Sequence, residues 1–127
     1  MRYLLDTNIF LRYVRGDRKL KNSVKEVLQD KNNRILISVI SGVEISIKNK
    51  LGKLPLKTNL SRLFEVVDFE LLNINWNHVL EFDRLHVDQK HKDPFDRLLI
   101  AQATAESLTL ITADKKIWKY ELPLLKA

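Results

Sequence analysis

Cysteine is absent from the chain, and glycine and proline are scarce. The 127 residues include no Cys, 3 Gly and 3 Pro. Without Cys there can be no disulfide and no thiolate metal site. So few Gly and Pro, beside 45% hydrophobic and 30% charged residues, are typical of a compact folded protein rather than a fibrous or disordered one. At this length we expect one domain, spanning residues 1–127, around a single core.

Long apolar segments are also lacking. The opening residues Met-Arg-Tyr-Leu-Leu-Asp do not form the apolar stretch of a signal peptide. The longest apolar region, residues 35–47, is interrupted by Glu44. We therefore expect no membrane association and a cytoplasmic location.

The charge balance is basic, with 22 Lys and Arg against 16 Asp and Glu, a formal net charge of +6. If four acids lie in one pocket, the remaining surface carries 22 basic and 16 − 4 = 12 acidic groups. Such a surface attracts polyanions such as nucleic acids. Considered alone, the net charge could equally serve only to keep the protein soluble.

Strand-like and helix-like patterns alternate along the chain. Helical spacing of apolar residues recurs in residues 9–14, 20–28, 40–51, 60–67, 76–83 and 94–106, and apolar runs predict strands at 3–5, 35–40, 70–74, 108–112 and 123–125. This alternation predicts an α/β protein with a mainly parallel sheet covered by helices on both faces. In that architecture, functional sites form beyond the carboxyl ends of the strands.

Four acidic residues occupy positions where such a site would form: Asp6, Glu44, Asp96 and Asp114. Asp6 and Asp114 follow predicted strands, whereas Glu44 and Asp96 lie near the beginnings of helices that can start on the same side. We therefore predict one shared cluster. Gathered carboxylates raise one another's pKa unless a divalent ion compensates, and their hard oxygens suit Mg²⁺ or Mn²⁺. Such an ion can activate water and stabilise charge on phosphate oxygens.

Three of the acids have a structural alternative at a helix or turn. Asp6 could cap the following helix, and Asp114 could cap the turn after its strand. Asp93 before Pro94 is best explained as the N-cap of a helix. Asp96 would then lie in the first turn, where the helix dipole favours a carboxylate without any functional role.

Glu44 could instead pair with Lys48, one helical turn away. Its place within an apolar helical stripe nevertheless predicts a carboxylate that points inward. A buried carboxylate is costly without a cation or a hydrogen-bond donor beside it. The stripe comprises Ile40, Val43, Ile47 and Leu51.

The segments around these acids resemble the PIN-domain family and, within it, the VapC-type toxins of bacterial and archaeal toxin-antitoxin pairs. The matching segments are Leu-Leu-Asp-Thr-Asn at 4–8, Ser-Gly-Val-Glu-Ile-Ser-Ile-Lys-Asn-Lys-Leu-Gly-Lys-Leu at 41–54, His-Lys-Asp-Pro-Phe-Asp-Arg-Leu-Leu-Ile-Ala-Gln-Ala at 91–103, and Leu-Thr-Leu-Ile-Thr-Ala-Asp at 108–114. The third segment is the most specific. Together the segments extend over almost the whole chain.

The resemblance implies an α/β/α sandwich that cleaves RNA with water and Mg²⁺ or Mn²⁺ and leaves a 5′-phosphate. It assigns the metal acids to Asp6, Glu44, Asp96 and Asp114, and the helix-opening position to Asp93. It further implies a homodimer that a cognate antitoxin inhibits by covering the active-site groove.

Two neighbours of the first acid also correspond to family positions. Thr7 matches a small hydroxyl residue that lies near the metal, and Asn8 stands where close relatives often have His. We expect both to lie beside the metal site without binding the ion directly.

Several other side chains have open roles. His91 and Lys92 could contact substrate phosphate or belong to a solvated basic loop. Trp76 and Trp118 could stack on unpaired bases, although core or dimer contacts are more usual for such aromatics. His78 is expected to be an ordinary surface or partly packed side chain.

Our main hypothesis is a toxin endoribonuclease in which Asp6, Asp96 and Asp114 bind the metal and Glu44 completes the cluster or orients the attacking water. The alternatives are a nuclease of the same fold that matures RNA, a non-catalytic module that binds RNA or protein, and a phospho-accepting regulatory domain. The last has no independent support in the sequence.

Overall fold

The computed structural model describes residues 1–86 and 93–127. Within them the strands are β1 (Arg2–Leu5), β2 (Arg34–Ser38), β3 (Glu70–Leu72), β4 (Thr109–Thr112) and β5 (Leu124–Lys126). The α-helices are α1 (Thr7–Arg15), α2 (Asn22–Gln29), α3 (Val39–Lys50), α4 (Leu60–Glu65), α5 (Trp76–Arg84) and α6 (Pro94–Glu106), and a short 3₁₀ turn covers Ile117–Lys119.

The strands form one sheet in the order β3-β2-β1-β4-β5, and all four pairings are parallel. Strand β1 lies at the centre, with Leu4 beside Leu36 of β2 and Leu110 of β4. The carboxyl ends of β1 and β4 are therefore adjacent. Asp6 and Asp114, which follow these two strands, lie at the same edge of the sheet.

Helices cover both faces of the sheet. Leu5, Ile37 and Ile111 point into one core, which includes Phe10 of α1 and Val24 of α2. The neighbouring side chains of the same strands point to the other face, because side chains alternate along a strand. They pack in a second core formed by Leu4, Leu36, Leu110, Leu99 and Ile100, the last two from α6. The predicted α/β/α sandwich with a parallel sheet is confirmed.

The buried face of the third helix differs from the predicted one. Val43, Ile47 and Leu51 are 49%, 42% and 63% exposed, so the predicted inward stripe is wrong beyond Ile40. The reason is tertiary packing: α3 packs against α1 and α6, and its buried side chains are Ile40, Ser41, Glu44 and Ile45. Glu44 does point inward, as predicted, but beside the polar Ser41 rather than within the apolar stripe.

The fifth helix also differs from expectation. The predicted apolar face of α5 includes Trp76, which is 69% exposed and therefore not a core residue. His78, expected at or near the surface, is fully buried. Its ring fits there because both nitrogens have hydrogen-bond partners, including the backbone N–H of Asn75 and the carboxylate of Glu106.

Candidate active site

Asp6 begins the site at the carboxyl end of β1. It occupies the N-cap position of α1, but its side chain makes no capping hydrogen bond to that helix. Instead, the Thr112 hydroxyl at the end of β4 donates to Asp6 Oδ2 at 2.7 Å. The capping alternative is therefore wrong for this side chain, which is held across the sheet edge.

The environment of Asp6 favours its neutral form. The pKa of Asp6 is raised from 3.8 to about 7, chiefly by burial, and the negative charges of Asp96 and Glu44 contribute to this increase. The hydrogen bond from Thr112 acts in the opposite direction and stabilises the charged form. Three of the predicted acids thus interact electrostatically around one buried carboxyl group.

Glu44 reaches this cluster from α3. Its Oε2 accepts a hydrogen bond from Lys48 Nζ at 2.8 Å, so the predicted pairing one helical turn away is present. This bond is also the main cause of the raised pKa of Lys48, to which the charges of Asp93 and Asp96 contribute. Glu44 Oε1 is buried, and no group in the described part of the chain forms a hydrogen bond with it. A buried carboxylate oxygen in this state favours a cation or donor beside it.

Asp96 lies in the first turn of α6 and is half-buried. The helix begins as predicted: Asp93 Oδ1 accepts from the backbone N–H of Phe95 at 2.9 Å and of Asp96 at 3.4 Å, and Pro94 follows the cap. Because Asp93 satisfies the amides at the helix start, the side chain of Asp96 is not needed there. Its charge acts on both Asp6 and Lys48.

Asp114 follows β4 and is also half-buried. Its Oδ1 accepts from the backbone N–H of Lys116 at 2.9 Å, so this acid does cap the turn after the strand. Its own backbone N–H donates to Thr112 Oγ1 at 3.0 Å. The Thr112 hydroxyl therefore connects Asp114 to Asp6, whereas electrostatic interactions connect Asp6, Glu44 and Asp96.

Sequence reasoning missed Thr112. The residue is fully buried, and its hydroxyl donates to Asp6 while accepting from Asp114. A hydroxyl residue at the end of a strand, two positions before a candidate acid, is the signal that could have identified it. Trp118 adds a third contact there, because its Nε1 donates to the Thr112 carbonyl at 3.0 Å.

The side chains that follow Asp6 have different positions. Thr7 is buried and donates through Oγ1 to Ser41 Oγ at 2.8 Å, which connects α1 to α3. Asn8 is exposed. His91 and Lys92, which could contact phosphate or belong to a solvated basic loop, lie outside the described residues.

The donor set fits a hard divalent cation in its chemistry. All four acids supply carboxylate oxygens, the ligands that Mg²⁺ and Mn²⁺ prefer. The raised pKa of Asp6 is expected of a buried carboxyl group without a compensating charge. Glu44 differs, because Lys48 pairs with its Oε2, but its buried Oε1 can still accept a cation. As the side chains are placed, residues 1–86 and 93–127 contain no group of three or more His, Asp or Glu side chains that could hold a metal ion.

Two concave surfaces lie on either side of Ile47. One is a pocket of about 330 Å³ that is lined by one of the four candidate acids, Glu44, and which we call the site pocket. It is lined by Glu44, Ile47, Lys48, Leu51, Lys53, Asp93, Pro94 and Phe95. The other is a mainly apolar groove of about 630 Å³ between α3, α4 and β3, which we call the apolar groove. Its lining includes Val43, Ile47, Phe64 and Leu71.

None of the helices in the described ranges is long and apolar enough to cross a membrane.

The fold and the site together define a class: a parallel α/β sandwich with buried or half-buried acids beyond the carboxyl ends of its central strands. The model of the PIN domain family matches residues 3–121. The chain therefore belongs to the PIN-domain family. A search of curated proteins found no significant match.

Solved structures with the same fold include toxin-antitoxin proteins. The structure of VapBC2 from Rickettsia felis bound to a promoter DNA fragment matches this fold with a TM-score of 0.72 at 22% sequence identity. The match covers 99% of this chain and 98% of that chain. A toxin-antitoxin complex from Klebsiella pneumoniae has a TM-score of 0.69 at 23% identity, over 98% and 96%. VapBC-1 from nontypeable Haemophilus influenzae has a TM-score of 0.66 at 21% identity, over 99% and 98%. The predicted resemblance to VapC-type proteins is thus confirmed at the level of the fold.

Proposed function

We propose that the protein is a divalent-metal-dependent endoribonuclease that acts as the toxin of a toxin-antitoxin pair. The observation that carries the proposal is the group of buried or half-buried carboxylates around Asp6, in a chain of the PIN-domain family. Asp6, Asp96 and Asp114 would hold Mg²⁺ or Mn²⁺, and Glu44 would complete the cluster or orient the attacking water. When bound, the ion supplies charge stabilisation and water activation.

The protein's own residues prepare this site in three ways. Thr112 orients the Asp6 carboxylate and stabilises its charged form through a hydrogen bond. Lys48 holds Oε2 of Glu44, which leaves Oε1 for another partner. The Asp93 cap fixes the start of α6, so that Asp96 stands in its first turn.

RNA is the proposed substrate because the acids lie in a protein with an excess of basic residues. The net charge of +6 attracts a polyanion, while the carboxylates repel it unless cations are bound. Cleavage should therefore need the divalent ion for two reasons. The ion reduces the repulsion between the carboxylates and the RNA, and it supports the hydrolysis itself. The cytoplasm, where such RNA is present, is the proposed location.

The proposed protein partners are a cognate antitoxin and a second copy of the chain. Several structures of the same fold are described as toxin-antitoxin complexes, which supports the antitoxin. An antitoxin that inhibits cleavage must block access to the acids, so we assign it to the site pocket. We assign the second copy to the apolar groove, because Val43 and Leu71 there are exposed and a monomer seldom leaves such a patch uncovered.

The test compares the wild type with Asp96→Asn, prepared identically and free of antitoxin. A mixed RNA pool is incubated with Mg²⁺, Mn²⁺ or EDTA, and Asp83→Asn, an exposed acid on α5, is the matched control. We expect metal-dependent cutting by the wild type and the control, and a loss of about a hundredfold or more in Asp96→Asn. Equal traces of cutting in all three would indicate contamination and contradict the proposal.

The toxin role needs a separate test. Expression of the wild type should arrest growth, and coexpression of a small protein encoded beside it should restore growth. Asp96→Asn should not arrest growth. Metal-dependent cleavage without growth arrest would favour an RNA-maturation nuclease of the same fold.

A further inference from the structure

A largely buried polar network lies in the second half of α6. Its centre is Gln102, whose amide contacts three other segments. Gln102 Oε1 accepts from Ser38 Oγ at 2.5 Å. Gln102 Nε2 lies 3.2 Å from His78 Nδ1 and 3.5 Å from the carbonyl oxygen of Asn73. Burying so many polar groups is costly unless each finds its partner.

The direction of every hydrogen bond in this network can be assigned. The backbone N–H of Asn75 donates to His78 Nδ1, so this nitrogen is an acceptor and the ring proton is on Nε2. Nε2 then donates to Glu106 Oε1 at 3.0 Å. Because Nδ1 is an acceptor, the Gln102 amide presents its NH₂ group to the ring and its oxygen to Ser38.

The start of α3 also belongs to this network. The Ser38 hydroxyl donates to Gln102 and accepts from the backbone N–H of Ile40 at 3.0 Å, which makes Ser38 the N-cap of α3. One directed chain thus runs from Ile40 through Ser38, Gln102 and His78 to Glu106. Each member donates to the next, and a shift of one helix relative to the other would leave buried groups without partners.

This series of hydrogen bonds joins the two helices that carry Glu44 and Asp96. Ser38 and Glu44 are six residues apart, as are Gln102 and Asp96, so each acid lies about 9 Å along its helix from the Ser38–Gln102 bond. Further along α3, Lys48 interacts with Asp93 and Asp96 at the start of α6. The two helices therefore run side by side in opposite directions, with their acids near each other.

We propose that Gln102 is a positioning residue that sets the register of α3 against α6, and thereby the spacing of the Glu44 and Asp96 carboxylates. Apolar contacts between helices are not directional, so they define a register less sharply than a buried hydrogen bond. The effect of Gln102 on metal binding rests on the proposed function. The hydrogen bond between Ser38 and Gln102 does not depend on that function.

The first experiment measures Mn²⁺ affinity by titration calorimetry on the full chain. Gln102→Met keeps the length of the side chain but removes its amide, and Leu28→Ala is the control because it weakens the core on the opposite face of the sheet. We expect Gln102→Met to lose about tenfold or more in affinity, as for other residues that orient metal ligands. Leu28→Ala should stay within about threefold of the wild type at temperatures where it is folded. Unchanged affinity in Gln102→Met, or an equal loss in Leu28→Ala, would overturn the proposal.

The second experiment needs no metal. Urea unfolding in EDTA compares the wild type, Ser38→Ala, Gln102→Met and the double variant. If the two residues act through one bond, the unfolding equilibrium constant of the double variant should differ from the additive expectation by about threefold or more. Additive effects would overturn the connection itself. A wild type that binds no Mn²⁺ but shows this coupling would contradict the proposed function and the metal-related role of Gln102, while the helix connection would stand.

Discussion

The buried carboxyl group of Asp6 couples the stability of the metal-free protein to pH. In the unfolded chain this group ionises near pKa 3.8, whereas in the folded protein it keeps its proton up to about 7. Between these values the unfolded state binds fewer protons than the folded state, so the free energy of unfolding falls as pH rises from about 4 to about 7. The whole difference corresponds to about 4 kcal/mol.

Asp6→Asn should remove this pH dependence, because the amide does not ionise. Urea unfolding in EDTA should show the wild type losing on the order of 2 kcal/mol between about pH 5.5 and pH 8. The variant should lose much less and be the more stable protein at the higher pH. Asp83→Asn should keep the wild-type profile. A flat profile for the wild type would mean that the Asp6 carboxyl is not effectively buried.

Thr112 acts on the same carboxylate through its hydroxyl. Thr112→Val keeps the shape of the side chain but removes the bond to Asp6 and the acceptor for the Asp114 N–H. We expect RNA cleavage to fall about tenfold to a hundredfold. The pKa of Asp6, followed by NMR, should rise further because its stabilising donor is lost. Thr112→Ser should retain most activity, and equal activity in the Val and Ser variants would contradict an orienting role.

At the scale of secondary-structure elements, the start of α6 distinguishes Asp93, which caps the helix, from Asp96, which lies in its first turn. Asp93→Ala should reduce the free energy of unfolding by about 1 kcal/mol, because the amides of Phe95 and Asp96 lose their acceptor. Asp93→Ser, which can cap, should be close to the wild type in thermal or urea unfolding. If both variants were equally stable, the cap would not contribute.

The same helix shows what the sequence can predict about an element. Asp93, Pro94 and the apolar residues after them are local signals, and the helix begins where they predict. The side of α3 that is buried was not predictable in this way. Val43 and Ile47 have the spacing of a core stripe, but the packing of α3 against α1 and α6 leaves them exposed. Which helix face is buried depends on the elements that reach it, which periodicity does not specify.

The candidate site shows the same limit. Asp6 and Asp114 could be assigned to one sheet edge because parallel strands place their carboxyl ends together. The network of Gln102 and His78 could not be predicted, since it joins residues from separate segments through directed hydrogen bonds. Thr112 is an intermediate case. Its residue type and its position at the end of a strand indicate a role near the acids, but they do not indicate that it binds Asp6.

At the scale of the whole molecule, the strand order and the surfaces emerge only from the assembled fold. Alternating strands and helices predicted a parallel sheet, but they do not specify which strands are neighbours. In the order β3-β2-β1-β4-β5, β3 is an edge strand. Its Leu71 is 56% exposed and lies in the apolar groove with α3 and α4. The exposed stripe of α3 and this edge together form the largely apolar surface that the proposed dimer would cover.

Leu71→Lys should disrupt that dimer while leaving the fold intact. The side chain is exposed, and Lys is well tolerated on an edge strand, so the melting temperature should change little. In the dimer, however, the charge would be buried without a partner, which is costly. Sedimentation equilibrium should show a shift from dimer toward monomer of at least tenfold in the dissociation constant. Val66→Lys, at an exposed position that does not line the apolar groove, should sediment like the wild type. A wild type that is monomeric at micromolar concentration would contradict the dimer, and equal effects of both variants would place the interface elsewhere.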